Sequence, residues 1–214
     1  MNADVVIAVR GGASAKSRLA GRLDLERREA LVEAMLADML TALAACPAVL
    51  RTYVTTPTPS LARRAARAGA VVILEQDTGD LNAAFDRARR RIAAADPDAT
   101  LVLLPGDLPD LDPADLEACL EAAGPDRLVL APACADGGTG GLVLRADVPL
   151  PLAFGAGSFG KHLAAARTLG LAAQVVRATS LGFDIDRPSD LDSHRAMSRG
   201  GATAALLRGW RVAA

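Results

Sequence analysis

The sequence predicts a single α/β domain, built as a mostly parallel mixed sheet flanked by helices. Short β-branched runs alternate with longer segments of helical periodicity, a pattern typical of parallel sheets with helical crossovers. The chain has 214 residues, which suits one domain of this class. No repeat, low-complexity linker or shift in composition divides residues 1–214, so we expect one domain rather than two.

The predicted elements follow one another along the whole chain. Strands are expected over 5–9, 50–55, 71–74, 100–104, 128–131, 142–145, 173–177 and 183–186. Helices are expected over 24–45, 60–68, 82–94, 113–122, 158–169 and 189–197. Asp24 and Asp112 suit N-cap positions, and Pro113 suits a first helical position. Residues 201–214 are expected to form a tail that docks as a helix.

The composition argues against nucleic-acid and membrane partners. With 24 basic and 25 acidic residues the net charge is −1, whereas a binder of phosphate backbones needs a basic surface. Aromatic residues make up only 3% of the chain, and no apolar run is long enough to cross a bilayer. The three cysteines form no C-x-x-C pair, which indicates reduced thiols. We therefore expect a cytoplasmic protein, either a monomer or a homodimer.

A basic loop, RGGASAKSRL, follows the first predicted strand. Its glycine and lysine spacing matches neither the dinucleotide-binding fingerprint nor a Walker motif. It does place Arg10, Lys16 and Arg18 close together, and such cations neutralise charge on transferring phosphoryl groups. A solvated basic loop is an equally good explanation of the charge count alone.

An aspartate, Asp107, comes directly after the apolar strand at 100–104, in the sequence LLPGDLPDLDP. Ligands of open α/β sheets bind at the carboxyl ends of strands, and Mg²⁺ prefers carboxylate and phosphate oxygens. Asp107 is therefore the candidate metal ligand. Asp110, Asp112 and Asp115 are better explained as caps and turn formers.

A second acidic segment, LGFDIDRPSDL, carries Asp184 and Asp186. Residues i and i+2 of a strand point to the same face, and a divalent ion is a common reason to hold two carboxylates together. Two alternatives stay open: only one of them faces inward, or a basic residue pairs with them. Asp190 suits the first turn of the following helix.

Two glycine-rich stretches, at 136–142 and 154–162, would allow the backbone to approach a small ligand closely. Thr139 and Ser158 can donate hydroxyl hydrogen bonds, and Ser158 also suits an N-cap whose helix terminus an anion could share. Two tight turns are the alternative. His162 has no evident acidic partner, so we expect it, like His194, to be packed or exposed rather than catalytic.

Six segments of the chain resemble, in the same order, those of one enzyme family. They are AKSRL at 15–19, LNAAF at 81–85, GDLPDL at 106–111, DGGTGGL at 136–142, FGAGSFGKH at 154–162 and DIDRPSDL at 184–191. The family is that of the 2-phospho-L-lactate and phosphoenolpyruvate guanylyltransferases of deazaflavin coenzyme F-420 biosynthesis.

The resemblance implies a nucleotide-diphospho-sugar transferase-like fold and a Mg²⁺-dependent reaction. In that reaction the phosphate of a small acid attacks the α-phosphorus of GTP and releases pyrophosphate. The implied Mg²⁺ ligands are Asp107, Asp184 and Asp186. The implied contacts of the acid's carboxylate are Thr139, Gly155 and Ser158. The implied nucleotide contacts are Arg10, Lys16, Arg18, Glu75 and Asn82, and the implied catalytic groups are Lys16, Arg18 and Asp107.

The chain departs from the family's pattern at two places. Gly140 follows Thr139 where the family commonly has asparagine, which leaves open whether 2-phospholactate, phosphoenolpyruvate or 3-phosphoglycerate is the acceptor. Arg10 stands where the family usually has lysine. The alternatives are a related nucleotidyltransferase or glycosyltransferase with another acceptor, and a non-catalytic nucleotide-binding homologue.

Overall fold

A mixed sheet forms the centre of the molecule in a computed structural model that describes residues 2–75, 80–124, 127–198 and 200–210. The strands in these ranges are β1 (Ala3–Ala8), β2 (Val49–Thr56), β3 (Val71–Leu74), β4 (Thr100–Pro105), β5 (Arg127–Pro132), β6 (Thr139–Arg145) and β7 (Ala172–Val175). The helices are α1 (Leu25–Ala44), α2 (Pro59–Arg67), α3 (Leu81–Ala95), α4 (Pro113–Ala122), α5 (Ser158–Thr168), α6 (Thr179–Gly182), α7 (Pro188–Met197) and α8 (Gly201–Gly209). The predicted fold class, a mostly parallel mixed sheet flanked by helices, is confirmed.

The strand order is β3-β2-β1-β4-β6-β5-β7. All neighbouring strands are parallel except β6, which runs antiparallel to both β4 and β5. The reversal brings the start of β6, at Thr139, to the edge of the sheet where β1 and β4 end. Polar groups from both glycine-rich and acidic segments can therefore meet at one edge.

The central strands are buried on both faces, which explains their continuous apolar runs. Val5 and Ile7 of β1 pack into one core cluster, whereas Val6 packs into the other, on the opposite face of the sheet. The same alternation holds for β4, where Val102 and Leu103 belong to different clusters. The sheet is thus fixed from both sides, and its carboxyl edge is a rigid platform.

Two of the predicted helix caps, Asp24 and Asp112, are confirmed. The side chain of Asp24 accepts a hydrogen bond from the amide of Arg27 at 2.8 Å. The side chain of Asp112 accepts one from the amide of Ala114 at 3.0 Å, and Pro113 opens α4. Each cap satisfies a backbone donor that the first helical turn leaves without a partner.

The tail docks as a helix, as the sequence predicts. The carboxylate of Asp38 in α1 accepts hydrogen bonds from the amides of Ala202 and Thr203 at 2.6 and 2.8 Å. Leu207, on the same helix, is 1% exposed. Residues 211–214 of the predicted tail lie outside the described residues. Among the helices that the structure describes, none is both long and apolar enough to span a bilayer.

The predicted strand at 183–186 is wrong. The four-residue helix α6 precedes this segment, which then runs extended without joining the sheet. The amides of Asp186 and Arg187 both donate to the carboxylate of Asp190, at 2.9 and 2.6 Å. Because these donors are already satisfied at the start of α7, they are not available for a strand ladder.

Candidate active site

Three parts of the chain meet at the edge of the sheet where β1 and β4 end. The Nζ of Lys16, in the loop after β1, lies 2.7 Å from Oδ2 of Asp107, which follows β4. The same nitrogen lies 3.8 Å from Oδ1 of Asp186. Arg18 forms a further ion pair with the carboxylate of Asp186. The structure therefore brings the basic loop and both acidic segments into one site, with basic residues paired to the acids.

The loop that carries Lys16 is held by a buried arginine of α1. Lys16 has φ 49° and ψ 42°, the left-handed conformation that costs an ordinary residue about 1–2 kcal/mol. Arg28 is 8% exposed and donates to the carbonyl oxygens of Ala13 at 2.9 Å and Ala15 at 2.7 Å. These bonds fix the backbone immediately before Lys16, so the lysine is aimed at the acids before any ligand binds.

The acids of the site repel one another, and Lys16 offsets the repulsion only in part. Burial raises the pKa of Asp184 to about 6, with Asp107 and Asp186 adding to the rise and Lys16 opposing it. Burial lowers the pKa of Lys16, but its contacts with Asp107, then with Asp186 and Asp184, outweigh burial and raise it overall. The cluster therefore carries excess negative charge at neutral pH, and a further cation would relieve it.

The same acids have the chemistry of a Mg²⁺ site. Oδ1 of Asp107 is buried and makes no hydrogen bond, while Oδ2 is engaged by Lys16. Carboxylate oxygens are the ligands that Mg²⁺ takes, usually one or two from the protein with the rest from phosphates and water. Within the described part of the chain no group of three acidic, histidine or cysteine side chains is already spaced to enclose a metal. The residues thus suit an ion that phosphate oxygens would help to hold.

A cleft of about 220 Å³ opens beside the acids. Arg18, Asp107, Asp184 and Asp186 line one wall, and the glycine-rich stretches line the other with Gly138, Thr139, Gly140 and Gly155. Leu81, Leu108, Phe154 and Leu181 supply apolar lining. A small ligand in this cleft would contact acidic and basic groups at one end and backbone amides at the other.

The glycine-rich wall is a rigid construction rather than two separate turns. The amide of Gly157 donates to the carbonyl of Asp136, and the amide of Phe159 donates to the carbonyl of Gly137. Gly155, with φ 119°, adopts a conformation that favours glycine. A Cβ at Gly140 would lie 1.6 Å from the carbonyl oxygen of Leu181, so only glycine allows α6 to pack as it does.

Ser158 lies at the start of α5, but it is not the N-cap that the sequence predicts. Gly157, with φ 69°, occupies the N-cap position because its left-handed backbone turns the chain into the helix. Ser158 is fully buried, and its Oγ lies 3.1 Å from Oγ1 of Thr139. The Nδ1 of His162 lies 2.9 Å from the same Thr139 oxygen. The two glycine-rich stretches are thereby joined through their side chains.

Both histidines are buried, so of the two predicted possibilities, packed or exposed, the structure shows the first. Burial, with a smaller contribution from Lys161, lowers the pKa of His162 to about 4, so its ring is neutral at pH 7. His194 is likewise fully buried, with Nδ1 2.8 Å from Oδ2 of Asp110. His194 therefore ties α7 to Asp110, whereas His162 lies behind the glycine-rich wall of the cleft.

The remaining predicted nucleotide contacts take part in structural networks. Glu75 is 7% exposed and accepts hydrogen bonds from Thr55 at 2.9 Å, Arg87 at 2.6 Å and Arg10 at 3.5 Å. Asn82 exchanges two hydrogen bonds with the backbone of Phe154, at 2.6 and 3.3 Å. Asn82 thus anchors the second glycine-rich stretch, and the roles of Arg10, Glu75 and Asn82 toward a nucleotide stay predictions.

The sequence assigned no site role to Arg28, which holds the basic loop, or to His162, which it predicted to be packed or exposed and which joins the glycine-rich wall. Arg28 did leave a signal, because it occupies the buried stripe of α1 that continues through Leu31, Met35 and Met39. A charged residue on an apolar stripe needs polar partners, which here are loop carbonyls. His162 left no such signal, because its partners come from other elements.

The fold is the one shared by solved nucleotidyltransferases and nucleotide-diphospho-sugar transferases. A protein from Desulfovibrio desulfuricans G20 described as a nucleotide-diphospho-sugar transferase superposes with a TM-score of 0.76, at 21% identity and over 97% of this chain and 95% of that one. A nucleotidyl transferase from Methanothermobacter thermautotroptrophicus gives a TM-score of 0.66 at 18% identity, over 97% and 98% of the two chains. A cytidylyltransferase from Leptospira borgpetersenii gives 0.61 at 18% identity, over 97% and 93%. These likenesses establish the fold.

The sequence relatives establish the family. Residues 3–212 match the family described as "Guanylyl transferase CofC like", and the chain belongs to that family. It is 50% identical to the 3-phospho-D-glycerate guanylyltransferase of Phenylobacterium zucineum, over 88% of this chain and 87% of the relative. It is 40% identical to the phosphoenolpyruvate guanylyltransferase of Sphaerobacter thermophilus, over 90% and 92%.

Proposed function

We propose that this protein transfers GMP from GTP to the phosphate of a small phosphorylated carboxylic acid, with Mg²⁺ as its cofactor. The observation that carries the proposal is the cleft itself, which Arg18 and three aspartates line together with glycine backbone, while Lys16 is held against Asp107 beside it. Membership of the guanylyltransferase family supports a guanine nucleotide as the donor substrate. The sequence resemblance extends the proposal to coenzyme F-420 biosynthesis.

In the proposed reaction an oxygen of the acceptor phosphate attacks the α-phosphorus of GTP. A new P–O bond forms, the bond between the α-phosphorus and the bridging oxygen breaks, and pyrophosphate leaves with that oxygen. The acceptor phosphate is already an anion at neutral pH, so no protein nucleophile or general base is needed. The task left to the protein is to position two anions and neutralise the leaving group.

The acidic and basic groups would divide this task. Asp107, Asp184 and Asp186 would hold Mg²⁺, which would supply positive charge to offset the negative charge of the phosphates. Lys16, aimed by the Arg28-held backbone, would stabilise charge on the transferring group. Arg18 has a side chain that is 62% exposed, so it can reach the leaving pyrophosphate as it departs.

The glycine-rich wall would receive the carboxylate of the acceptor. Thr139 and Gly155 line the cleft opposite the acids, and Ser158 lies directly behind Thr139. Among the three candidate acids we favour 3-phosphoglycerate, because the relative with 50% identity bears that name. In this chain α6 packs onto Gly140. Because residue 140 has no side chain, the backbone of 139–140 can contact a small acid directly.

A nucleotidyltransferase with another base is the second candidate, because a cytidylyltransferase is among the structural neighbours. The test is to incubate the protein with Mg²⁺, each of the four ribonucleoside triphosphates and each of the three acids, and to measure pyrophosphate. We expect release with GTP and the highest rate with 3-phosphoglycerate. Absence of release with GTP and all three acids would refute the proposed function.

The matched variants are Asp107→Asn and Asp112→Asn. Asp107 faces the cleft, whereas Asp112 caps α4 outside it. We expect the first substitution to abolish release and the second to leave both release and stability nearly unchanged, because asparagine caps a helix about as well as aspartate. Removal of Mg²⁺ by a chelator is expected to abolish pyrophosphate release, as Asp107→Asn does.

A further inference from the structure

Three buried side chains behind the glycine-rich wall form one hydrogen-bonded set. His162 and Ser158 both approach Oγ1 of Thr139, at 2.9 and 3.1 Å. His162 and Ser158 are fully buried, and Thr139 is 4% exposed. Thr139 alone of the three lines the cleft, so it is the member that a ligand can contact.

The backbone decides which ring nitrogen of His162 carries the proton. The amide of Ala153 donates to Nε2 at 3.0 Å. An amide N–H can only donate, so Nε2 must present its lone pair. The neutral imidazole carries one proton, which therefore lies on Nδ1 and is donated to Oγ1 of Thr139. The low pKa of His162, about 4, agrees with a ring that keeps this neutral form.

This tautomer leaves one hydroxyl hydrogen for a ligand. Ser158 and Thr139 carry two hydroxyl hydrogens, and the hydrogen bond between them uses one. Because His162 brings its own hydrogen to Thr139, the second hydroxyl hydrogen is not consumed within the set. Among the described residues no other hydrogen bond involves either hydroxyl. With the proton on Nε2, the ring would instead accept the Thr139 hydrogen, and none would remain.

We propose that His162 is a positioning residue that holds the Thr139–Ser158 pair as a hydrogen-bond donor toward an anionic oxygen of the acceptor. The identity of this oxygen as the acid's carboxylate rests on the proposed function. A donor selects an anion, because hydrogen bonds to charged oxygens are about twice as strong as neutral ones. An oxygen lone pair facing the same carboxylate would repel it. His162 thereby sets which ligand the wall accepts without touching the ligand.

The test compares two substitutions, each of which can reproduce the hydrogen bond of only one of the two ring nitrogens. In His162→Asn the side-chain amide can occupy the Nδ1 position and still donate to Thr139. In His162→Gln the longer side chain can accept from Ala153 but has no donor at the Nδ1 position. We expect the KM for the acid to rise roughly tenfold or more in the glutamine variant. The asparagine variant is expected to stay near the wild-type KM, with the KM for GTP unchanged in both.

His194→Gln is the matched control. His194 is also fully buried and hydrogen-bonded, but to Asp110, and its ring stacks on Phe183 rather than on the glycine-rich wall. This substitution is expected to lower thermal stability as His162→Gln does and to leave the KM for the acid unchanged. A rise in that KM in both glutamine variants would show a general loss of packing and overturn the proposal.

The tautomer has a direct readout in the unmodified protein, since the chain contains only two histidines. In ¹⁵N-labelled protein, long-range proton–nitrogen correlations report which ring nitrogen is protonated, and His194→Gln assigns the two rings. We expect His162 to carry its proton on Nδ1 at pH 7. A proton on Nε2, or a charged ring at this pH, would overturn the proposal whatever the variants do.

The proposal and the proposed function fail in different ways. If the wild-type protein releases pyrophosphate with GTP but the acid KM does not change in His162→Gln, the role of His162 is refuted alone. If the wild-type protein is inactive with every acid, the proposed function is refuted. Binding of 3-phosphoglycerate, measured by calorimetry, then decides the role of His162. No binding to the wild type, or equal affinity in the glutamine variant, overturns it.

Discussion

The Nζ of Lys16 lies 2.7 Å from Oδ2 of Asp107, although the two residues are 91 positions apart in the chain. The other carboxylate oxygen of Asp107 is buried and has no hydrogen-bond partner. One aspartate thus has a fixed cation on one oxygen and an unsatisfied oxygen on the other. In the proposed function these two oxygens have different tasks, the first to orient Lys16 and the second to bind Mg²⁺.

Replacing Lys16 by methionine removes the fixed cation and keeps most of the side-chain volume. We expect the rate of pyrophosphate release to fall roughly 10²-fold or more, because a preorganised charge on the transferring group is lost. Arg18→Met is expected to have a smaller effect, since its side chain is 62% exposed and its charge is screened by water. Equal losses in the two variants, measured as kcat, would contradict the distinct role of Lys16.

The stabilisation of the fold by Mg²⁺ is expected to increase with pH. The pKa of Asp184 in the folded protein, about 6, lies above its ordinary value of 3.8. Protonation therefore stabilises the metal-free fold, a contribution that is complete below the ordinary pKa and is lost as the pH rises through about 6. Mg²⁺ competes with the same proton, so it should bind more tightly above this pH.

Thermal unfolding with and without Mg²⁺, at about pH 5 and about pH 7.5, checks this expectation. The Mg²⁺-induced rise in Tm should be larger at the higher pH. In Asp184→Asn, which cannot titrate, the difference between the two pH values should shrink. A Mg²⁺ effect that is the same at both pH values in the wild-type protein would contradict the assignment.

Replacing Arg28 by methionine should loosen the loop that aims Lys16. The carbonyl oxygens of Ala13 and Ala15 lose their donor, and the left-handed backbone of Lys16 loses its support. We expect the KM for GTP to rise and kcat to fall, since a displaced charge contributes less to the transition state. The neighbouring Arg27→Met is the control, because the side chain of Arg27 is 43% exposed and does not contact the loop carbonyls. It is expected to change neither constant by more than about twofold.

Gly140→Ala should be severely destabilising, because the added methyl group would lie 1.6 Å from the carbonyl oxygen of Leu181. Either α6 moves or the strand bends, and we expect a loss of about 1–3 kcal/mol or more in the free energy of unfolding. Gly160→Ala serves as the control, since a Cβ there meets open space within α5. That substitution is expected to stabilise the protein by up to about 1 kcal/mol. Denaturant unfolding of the two variants provides the comparison.

The departure at Gly140 gains a physical explanation from the same contact. The sequence shows only that a side chain common in the family is missing. The structure shows that Leu181 fills the place where that side chain would begin, and Leu181 itself lines the cleft. An asparagine here would have to displace α6, so the residue at 140 and the position of α6 are coupled.

Most elements of the fold were predictable because their signals are local. Hydrophobic periodicity, Pro113 and the caps Asp24 and Asp112 act within one or two turns of chain, and each was placed as predicted. The strand predicted at 183–186 failed because its amides have other partners: the amide of Ile185 donates to the carbonyl of Asp107, far away in the sequence, and the amide of Asp186 donates to the carboxylate of Asp190. The Ser158 cap failed because its hydroxyl is engaged by Thr139, 19 positions away.

The sequence by itself determined the fold class, the family resemblance and the residue types of the site, through local periodicity and six short segments in order. Only the tertiary structure decided how these residues are paired. It placed Lys16 against Asp107, clamped the basic loop with Arg28, and used the amide of Ala153 to fix the proton of His162. The physical reason is that hydrogen-bond direction and charge balance depend on neighbours across the fold, which periodicity along the chain does not encode.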